Sequence, residues 1–223
     1  MGRGKFIVFE GIDGSGKTTQ ARRLRDRINE YLNHNNSRII CEMQEEPFHG
    51  DVIGGNIRSV LSGQTKMPED SLAYLYVANR LTHISIMKPK LEAGNHIICD
   101  RYYFSNFAYN QTQKIGLDDL IQLNSLCMNE LKPEVVFYLY VSPEIAAKRR
   151  GMSRLTEEAN DALDRQTVIS DNFEKIMKMF SDPGFEMAHN ICRIDCDNLT
   201  EDMVADAIWD YLIVNIFPNR IFA

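Results

Sequence analysis

The sequence predicts an α/β fold built on a five-stranded parallel sheet with helices on both faces. The first observation is a set of short, nearly continuous apolar runs rich in β-branched residues, typical of strands buried on both sides. These runs cover residues 5–9, 38–43, 96–99, 135–141 and 190–194. The second is that helix-like segments separate them, and parallel strands need such crossover connections. The third is a glycine-rich turn that joins the first run to the first helix-like segment.

Local signals place the helices in chain order. The first is expected from residue 17 to about 34, where apolar side chains recur at helical spacing. Asp51 is expected to cap a short helix that ends near residue 61, and residues 68–70 to open a long helix to about 91. Ser142, with Pro143 at the first helical position, is expected to begin a helix to about 150. Further helices are predicted over residues 117–131, from after residue 165 to about 180, and from residues 199–202 to about 216.

Composition limits the classes of protein to which the chain can belong. Apolar residues make up 44% of the 223 positions, and no apolar run approaches the roughly 20 residues of a membrane-spanning helix. The formal net charge of −6 argues against a general nucleic-acid-binding protein. The five cysteines are odd in number and lack the spacing of zinc ligands. We therefore expect one cytoplasmic domain over residues 1–223, with reduced thiols, no signal peptide, no membrane and no nucleic-acid partner.

The glycine-rich turn carries the first chemical motif. It reads Gly11-Ile12-Asp13-Gly14-Ser15-Gly16-Lys17-Thr18, which is G-x-x-x-x-G-K-[ST]. Between a strand and a helix this pattern is typical of a phosphate-binding loop, because glycines let consecutive N–H groups aim at phosphate oxygens. Lys17 is expected to reach the β- and γ-phosphates and the Thr18 hydroxyl to bind Mg²⁺. A tight turn without a ligand is the alternative.

A second polar motif directly follows the third predicted strand. Asp100 and Arg101 stand there, and ligands of open parallel sheets bind at the carboxyl ends of the strands. Arg101 is suited to clamp a phosphate with two parallel hydrogen bonds, while Asp100 is suited to hold Mg²⁺ or to orient the arginine. A structural ion pair at the end of the strand remains the alternative.

Three segments carry longer motifs. Residues 9–20 read FEGIDGSGKTTQ, residues 75–80 read LYVANR, and residues 100–109 read DRYYFSNFAY. In this order they resemble the thymidylate kinases, a family of P-loop nucleoside monophosphate kinases, whose corresponding patterns include L-F-x-A-[DN]-R and D-R-Y-x-x-S-x-x-A-Y. The resemblance implies Mg²⁺-dependent transfer of a phosphoryl group from ATP to dTMP, giving dTDP, by a homodimer. A kinase of another (deoxy)nucleoside monophosphate or of a deoxynucleoside, and a non-kinase ATP-binding switch protein, remain alternatives.

The resemblance also implies roles for residues near ATP and the metal. Asp13 is expected near the sugar 3′-hydroxyl, and Glu10 is a further carboxylate close to the metal. The expected metal ligands are thus Thr18, Asp100 and Glu10. The expected ATP-binding residues are Gly11, Asp13, Gly14, Ser15, Gly16, Lys17, Thr18 and Thr19.

For the acceptor the resemblance implies a separate pocket. Arg101 is expected to hold the monophosphate, Arg80 to bond the thymine edge, and Tyr76 to stack on the base. Ser105 and Asn106 are expected against the base, and Tyr109 against the deoxyribose, where it disfavours a 2′-hydroxyl. Without the resemblance, Tyr76 is typical of a core residue, Arg80 of a solvated helix charge, and Ser105 and Tyr109 of capping and packing residues.

A basic cluster suggests a lid over residues 148–165. The phosphate loop contains no arginine, so the resemblance to the bacterial type implies a catalytic arginine in this lid, with Arg149 and Arg154 as candidates. A solvated helix end would explain Arg149 nearly as well. Three positions depart from the family pattern: Glu45 replaces a common arginine, Asn110 a glutamine and Thr167 a glutamate. A carboxylate at position 45 would repel an acceptor phosphate unless it faces away.

Overall fold

The computed structural model describes residues 2–34, 37–151 and 157–217, with side chains in the last range from residue 162 onward. Its strands are β1 (Phe6–Glu10), β2 (Cys41–Glu45), β3 (His96–Asp100), β4 (Val135–Tyr140) and β5 (Ile191–Asp195). Its helices are α1 (Lys17–His34), α2 (Val52–Leu61), α3 (Glu69–Glu92), α4 (Tyr103–Tyr109), α5 (Leu117–Glu130), α6 (Pro143–Arg149), α7 (Glu157–Ser181) and α8 (Glu201–Asn215).

The five strands form one parallel sheet in the order β2-β3-β1-β4-β5. All five residues of β1 and of β3 are buried, as their apolar composition predicts for central strands. Alternate residues of β1 face opposite ways: Phe6 and Val8 join one apolar core with α3, α4, α5 and α7, while Ile7 and Phe9 join another with α1 and α8. The predicted α/β fold with helices on both faces is confirmed.

The register brings three loops together at the carboxyl edge of the sheet. Asp100 at the end of β3 pairs with Phe9 of β1 on one side and with Glu45 of β2 on the other. The phosphate loop, the segment after Glu45 and the turn after Asp100 therefore leave the sheet side by side. This arrangement places the motifs of the sequence in one region.

Helix signals from the sequence are largely confirmed. The Asp51 carboxylate accepts a hydrogen bond from the Gly54 backbone N–H at 2.6 Å, which is the predicted N-cap. Ser142 precedes α6 as predicted, but its hydroxyl donates to Asp197 at 3.2 Å and does not cap the helix. In the described part of the chain, no helix combines the length and apolarity of a membrane span.

Two elements differ from the sequence-based expectation. Helix α4 was not predicted, because its short run of aromatic residues is buried almost all round and shows no polar face. Helix α7 begins at Glu157, so the predicted lid over 148–165 contains the end of α6 and the first turns of α7. Residues 152–156 between them lie outside the described residues. The described cysteines are free thiols, and all but Cys192 are buried.

Candidate active site

The phosphate loop has a backbone that only glycine adopts easily. Gly11, Gly14 and Gly16 have φ values of 145°, 90° and 93°. A Cβ atom on Gly11 would lie 2.5 Å from the Leu139 carbonyl oxygen, and one on Gly14 would lie 2.7 Å from that of Ala146. The loop therefore packs against β4 and α6; both conformation and space require glycine at positions 11 and 14, whereas conformation alone requires it at position 16.

Lys17 lies inside this loop with its side chain buried. Its Nζ donates a hydrogen bond to the Ile12 carbonyl oxygen at 2.8 Å. Burial lowers the pKa of Lys17 to about 7, and the positive charge of Arg101 acts in the same direction. The carboxylates of Asp100, Asp13 and Glu10 oppose this shift, and a phosphate group in the loop would add further negative charge that favours the ammonium form.

Thr18 and Asp100 form a pair beside the loop that fits a magnesium ion. The Thr18 hydroxyl donates to Oδ2 of Asp100. The other carboxylate oxygen, Oδ1, is buried and has no hydrogen-bond partner among the described residues. Mg²⁺ in nucleotide sites is commonly held by one or two protein oxygens together with phosphates and water. These two residues fit that pattern.

Glu10 lies elsewhere and has a different set of contacts. One carboxylate oxygen accepts the backbone N–H groups of Tyr102 and Ser105 at 2.7 and 3.2 Å, and the other accepts the Ser105 hydroxyl at 2.6 Å. Burial raises the pKa of this fully buried carboxyl to about 7, although the Ser105 hydrogen bond opposes the shift. Both oxygens thus hold the turn between β3 and α4 in the described structure, and the expectation that Glu10 binds the metal stays a prediction.

Arg101 occupies that turn in a left-handed conformation, with φ of 71°. Its guanidinium pairs with the Asp13 carboxylate, donates to the Ser105 hydroxyl at 3.0 Å, and lies 5.1 Å from the centre of the Tyr109 ring. Asp100 points to Thr18 instead, so the two neighbours do not form the structural ion pair that was the alternative. The guanidinium is directed towards the space between the phosphate loop and α4.

A cavity of about 250 Å³ opens at this guanidinium. Residues Tyr76 and Arg80 contribute from α3, where four-residue spacing places them on one face. All six side chains predicted for the acceptor pocket line the cavity, namely Tyr76, Arg80, Arg101, Ser105, Asn106 and Tyr109. A second cavity of about 340 Å³ lies over the phosphate loop, and Asp13, Glu46 and Arg101 border both. The two cavities thus meet at one wall.

Comparisons with known proteins place the chain in one family. The family model described as thymidylate kinase matches residues 9–206. The chain belongs to the thymidylate kinase family. A probable thymidylate kinase of Methanococcus aeolicus is 36% identical over 90% of this chain and 91% of its own length. The thymidylate kinase of Plasmodium falciparum is 32% identical over 98% of this chain and 94% of its own.

A solved structure shares the fold of this family member. The thymidylate kinase of Candida albicans superposes with a TM-score of 0.73 at 24% identity, covering 96% of this chain and 93% of that one. At this identity the likeness supports the fold alone. It agrees with the observed α/β architecture.

The motif residue Arg80 is held by side chains that sequence reasoning missed. Arg80 is 2% exposed, so it is not the solvated helix charge that was the alternative. Its Nε donates to Glu46 at 2.7 Å, and Glu46 also contacts the His83 ring at 3.4 Å. The other His83 nitrogen lies 3.1 Å from the Gln44 side chain. The three-residue spacing of Arg80 and His83 puts both on one helix face, so the sequence could have indicated that they share a partner.

Glu45, the departure from the family pattern, lies at the rim of the cavity over the phosphate loop. Its side chain is 63% exposed and lies 3.9 Å from the His49 ring. Glu45 borders this cavity and does not border the acceptor cavity. Exposure to solvent screens its charge, so its repulsion of an anion nearby is weak.

The lid candidates divide between described and undescribed residues. The Arg149 guanidinium donates to the Cys196 carbonyl oxygen at 2.7 Å and lines a cavity of about 560 Å³ that Gly14, Ser15 and Thr19 border from the loop side. It does not border the acceptor cavity. Arg154 lies outside the described residues. Thr167 is on the exposed face of α7, where its hydroxyl donates to the Leu163 carbonyl oxygen at 3.0 Å.

Proposed function

We propose that the chain transfers the γ-phosphoryl group of ATP to the phosphate of dTMP, giving dTDP and ADP. The observation that carries the proposal is the shared wall of the two cavities. The phosphate loop offers one anion site, Arg101 marks the other, and Asp13 borders both. A nucleotide in each cavity would meet phosphate to phosphate, as in-line transfer requires.

The chemistry needs positioning and positive charge. An oxygen of the acceptor phosphate attacks the γ-phosphorus of ATP. At the same time the bond between the γ-phosphorus and the bridging oxygen breaks and ADP leaves, so no covalent enzyme intermediate is needed. Lys17 stabilises the charge on the β- and γ-phosphates, and Arg101 holds the attacking phosphate in line. Thr18 and Asp100 would hold Mg²⁺, which neutralises phosphate charge when bound. The remaining loop residues, Gly11 to Thr19, supply backbone donors to ATP.

The acceptor cavity supports a nucleotide as second substrate. Tyr76 offers a ring for stacking and Arg80 donors for a base edge, while Tyr109 lies beside the Arg101 guanidinium. Asn106 and Ser105 lie in the same wall. A switch protein that only binds and hydrolyses ATP has no need of this second cavity.

Arg149 is proposed to contact ATP on the side of the loop away from the acceptor. Its cavity is bordered by the phosphate loop and by the segment between β5 and α8. This assignment replaces the expectation that Arg149 covers the migrating phosphoryl group. That role remains a prediction for Arg154.

Coupled ADP production with ATP, Mg²⁺ and one acceptor at a time tests the function. We expect activity with dTMP, weaker activity with dUMP and none with ribonucleoside monophosphates. Thymidine is included because a deoxynucleoside kinase, whose acceptor carries no phosphate, is the alternative to a monophosphate kinase. Activity with thymidine alone would refute the monophosphate assignment, and ADP production independent of any acceptor would favour the switch protein.

ADP binding at pH 8 is expected to take up nearly one proton. With a pKa of about 7, Lys17 is mostly neutral at pH 8 in the free protein. Phosphate oxygens stabilise the ammonium form and raise this pKa, so binding draws a proton from solution. Calorimetry in two buffers of different ionisation enthalpy counts the proton. A Lys17→Met variant with the same uptake would show that another group is responsible.

A cytoplasmic homodimer is proposed as the working form. An apolar groove between α3 and α5 supports it, because Leu81, Ile84 and the half-exposed Leu126 line the groove. Lys88 and Glu130 at its rim form an ion pair with each other at 2.7 Å, so neither charge would be left unpaired if a second copy covered the groove. Sedimentation equilibrium should then give twice the mass of one chain.

A further inference from the structure

Four side chains beside the acceptor cavity are hydrogen-bonded in series. The Arg80 Nη1 donates to Oδ1 of Asn124 at 2.5 Å, and Nδ2 of Asn124 donates to Oδ1 of Asn106 at 2.8 Å. Nδ2 of Asn106 then donates to Oδ1 of Asn110 at 3.0 Å. We call this series the amide relay. Asn124 lies one layer behind the cavity, whereas the other three members line it.

The chemistry of arginine fixes the direction of the amide relay. A guanidinium has only donors, so Asn124 must turn its oxygen towards Arg80. The amide group of Asn124 also donates to the Leu120 carbonyl oxygen at 2.8 Å, and a carbonyl only accepts. Both ends therefore require the same orientation of Asn124. Asn106 must then present its oxygen to Asn124, and Asn110 must present its oxygen to Asn106.

Burial makes a reversal of this order costly. Asn124 is fully buried, and Arg80 and Asn106 are each 2% exposed. A flipped amide would set two donors or two acceptors face to face without water to replace the lost bonds. Arg80 is itself held by Glu46, so the fixed end of the relay does not turn.

The consequence appears at the cavity end of the relay. The oxygen of Asn110 is used by Asn106, so its NH₂ group is the part left for a ligand. Within the described parts of the chain, no hydrogen bond from this NH₂ group to another residue is found. Asn110 lines the same cavity as Tyr76 and Arg80.

We propose that Asn124 is a positioning residue that makes Asn110 present an N–H donor to the acceptor base. The inference rests on the proposed function and names the base edge that the site selects. Thymine and uracil carry a carbonyl oxygen at the position where cytosine carries its amino group, and a carbonyl oxygen accepts from an N–H donor. Cytosine carries an exocyclic amino group, which would meet the Asn110 NH₂ group donor to donor. The relay thus favours dTMP and dUMP over dCMP.

An Asn110→Asp change tests the cavity end alone. The aspartate keeps an oxygen towards Asn106 and replaces the NH₂ group by an acceptor of the same shape. The ratio of kcat/KM for dTMP to that for dCMP is expected to fall about ten- to a hundredfold. The added charge also acts on the acceptor phosphate, but both substrates carry that phosphate, so the ratio cancels this effect. The dUMP reaction should change in parallel with dTMP.

Changes at Asn124 test the positioning role. In Asn124→Asp both side-chain oxygens accept, so Asn106 and Asn110 must flip and the cavity end changes from donor to acceptor. The ratio should fall as in Asn110→Asp, although Asn110 itself is unchanged. In Asn124→Leu no side chain fixes the orientation of Asn106 and Asn110. The ratio of kcat/KM for dTMP to that for dCMP should then move towards one, by less than in Asn124→Asp. A merely structural role would lower all activities together and leave the ratio unchanged.

Binding of thymidine and deoxycytidine, measured by calorimetry on the same variants, separates this inference from the proposed function. If the wild type phosphorylates dTMP and Asn110→Asp leaves the ratio unchanged, the relay is refuted and the function stands. If the wild type lacks dTMP activity, the function fails and nucleoside preference alone judges the relay. If Asn124→Asp does not fold, the Asn110→Asp variant still tests the relay, because Asn110 is only partly buried.

Discussion

Replacing Lys17 by alanine is expected to lower kcat for phosphoryl transfer about a thousandfold or more. The ammonium is held inside the phosphate loop by the Ile12 carbonyl oxygen at 2.8 Å, so it is already placed for the β- and γ-phosphates. Its loss removes positive charge where negative charge shifts during transfer. Coupled ADP production at saturating ATP and dTMP measures the change.

Thermal unfolding of a Lys17→Met variant supplies the control for this prediction. Folding lowers the pKa of Lys17 from 10.5 to about 7, so the native state pays for charging a buried amine. This cost is present in full below pH 7 and disappears above about 10.5, where the amine is neutral in both states. Lys17→Met should therefore melt higher than wild type at pH 7, and the difference should shrink as the pH rises. A folded variant with wild-type turnover would refute the role of Lys17.

Arg101→Ala is expected to raise KM for dTMP about a hundredfold while KM for ATP changes little. Two charge-assisted hydrogen bonds to a phosphate are worth several kcal/mol, and Arg101, which borders both cavities, is proposed to make them with the acceptor phosphate while Lys17 holds the ATP phosphates. Alanine tolerates the φ of 71° no better than arginine, so the backbone cost is matched in both proteins. Initial rates with each substrate varied in turn give the two constants.

Arg101→Lys is the matched control, because it keeps the charge and loses the two parallel bonds. We expect its KM for dTMP to lie between that of the wild type and that of the alanine variant. If KM rose equally for ATP and dTMP in Arg101→Ala, the main role of the arginine would instead be to hold the phosphate loop through its ion pair with Asp13. The prediction of a phosphate clamp would then be wrong.

The local motifs explain why much of this fold could be predicted. The sheet follows from apolar runs that bury both faces, and the phosphate loop from glycines whose φ angles suit no other residue. Caps such as Asp51 act over three residues and are visible in the sequence. Helix α4 could not be found this way, since its burial comes from packing against α5 and α7 and leaves no amphipathic pattern.

Side chains whose partners are distant in sequence were the harder part of the site. Glu10 was expected at the metal, yet its oxygens bind groups 92 and 95 positions further along the chain. Arg149 was expected as a catalytic arginine of the lid, and the structure places its guanidinium against the Cys196 carbonyl oxygen, at the segment between β5 and α8. Neither partner is implied by the residues that surround these two in the sequence.

The sequence by itself therefore determined the family, the parallel sheet and the loop that suits phosphate, because these depend on neighbours along the chain. Only the tertiary structure decided what the buried polar groups do. Arg80 was placed on α3 by its motif, but its burial depends on Glu46 and Asn124, which lie 34 and 44 positions away. Buried donors and acceptors must be paired, and in this site the pairing is set by which strands and helices meet in space.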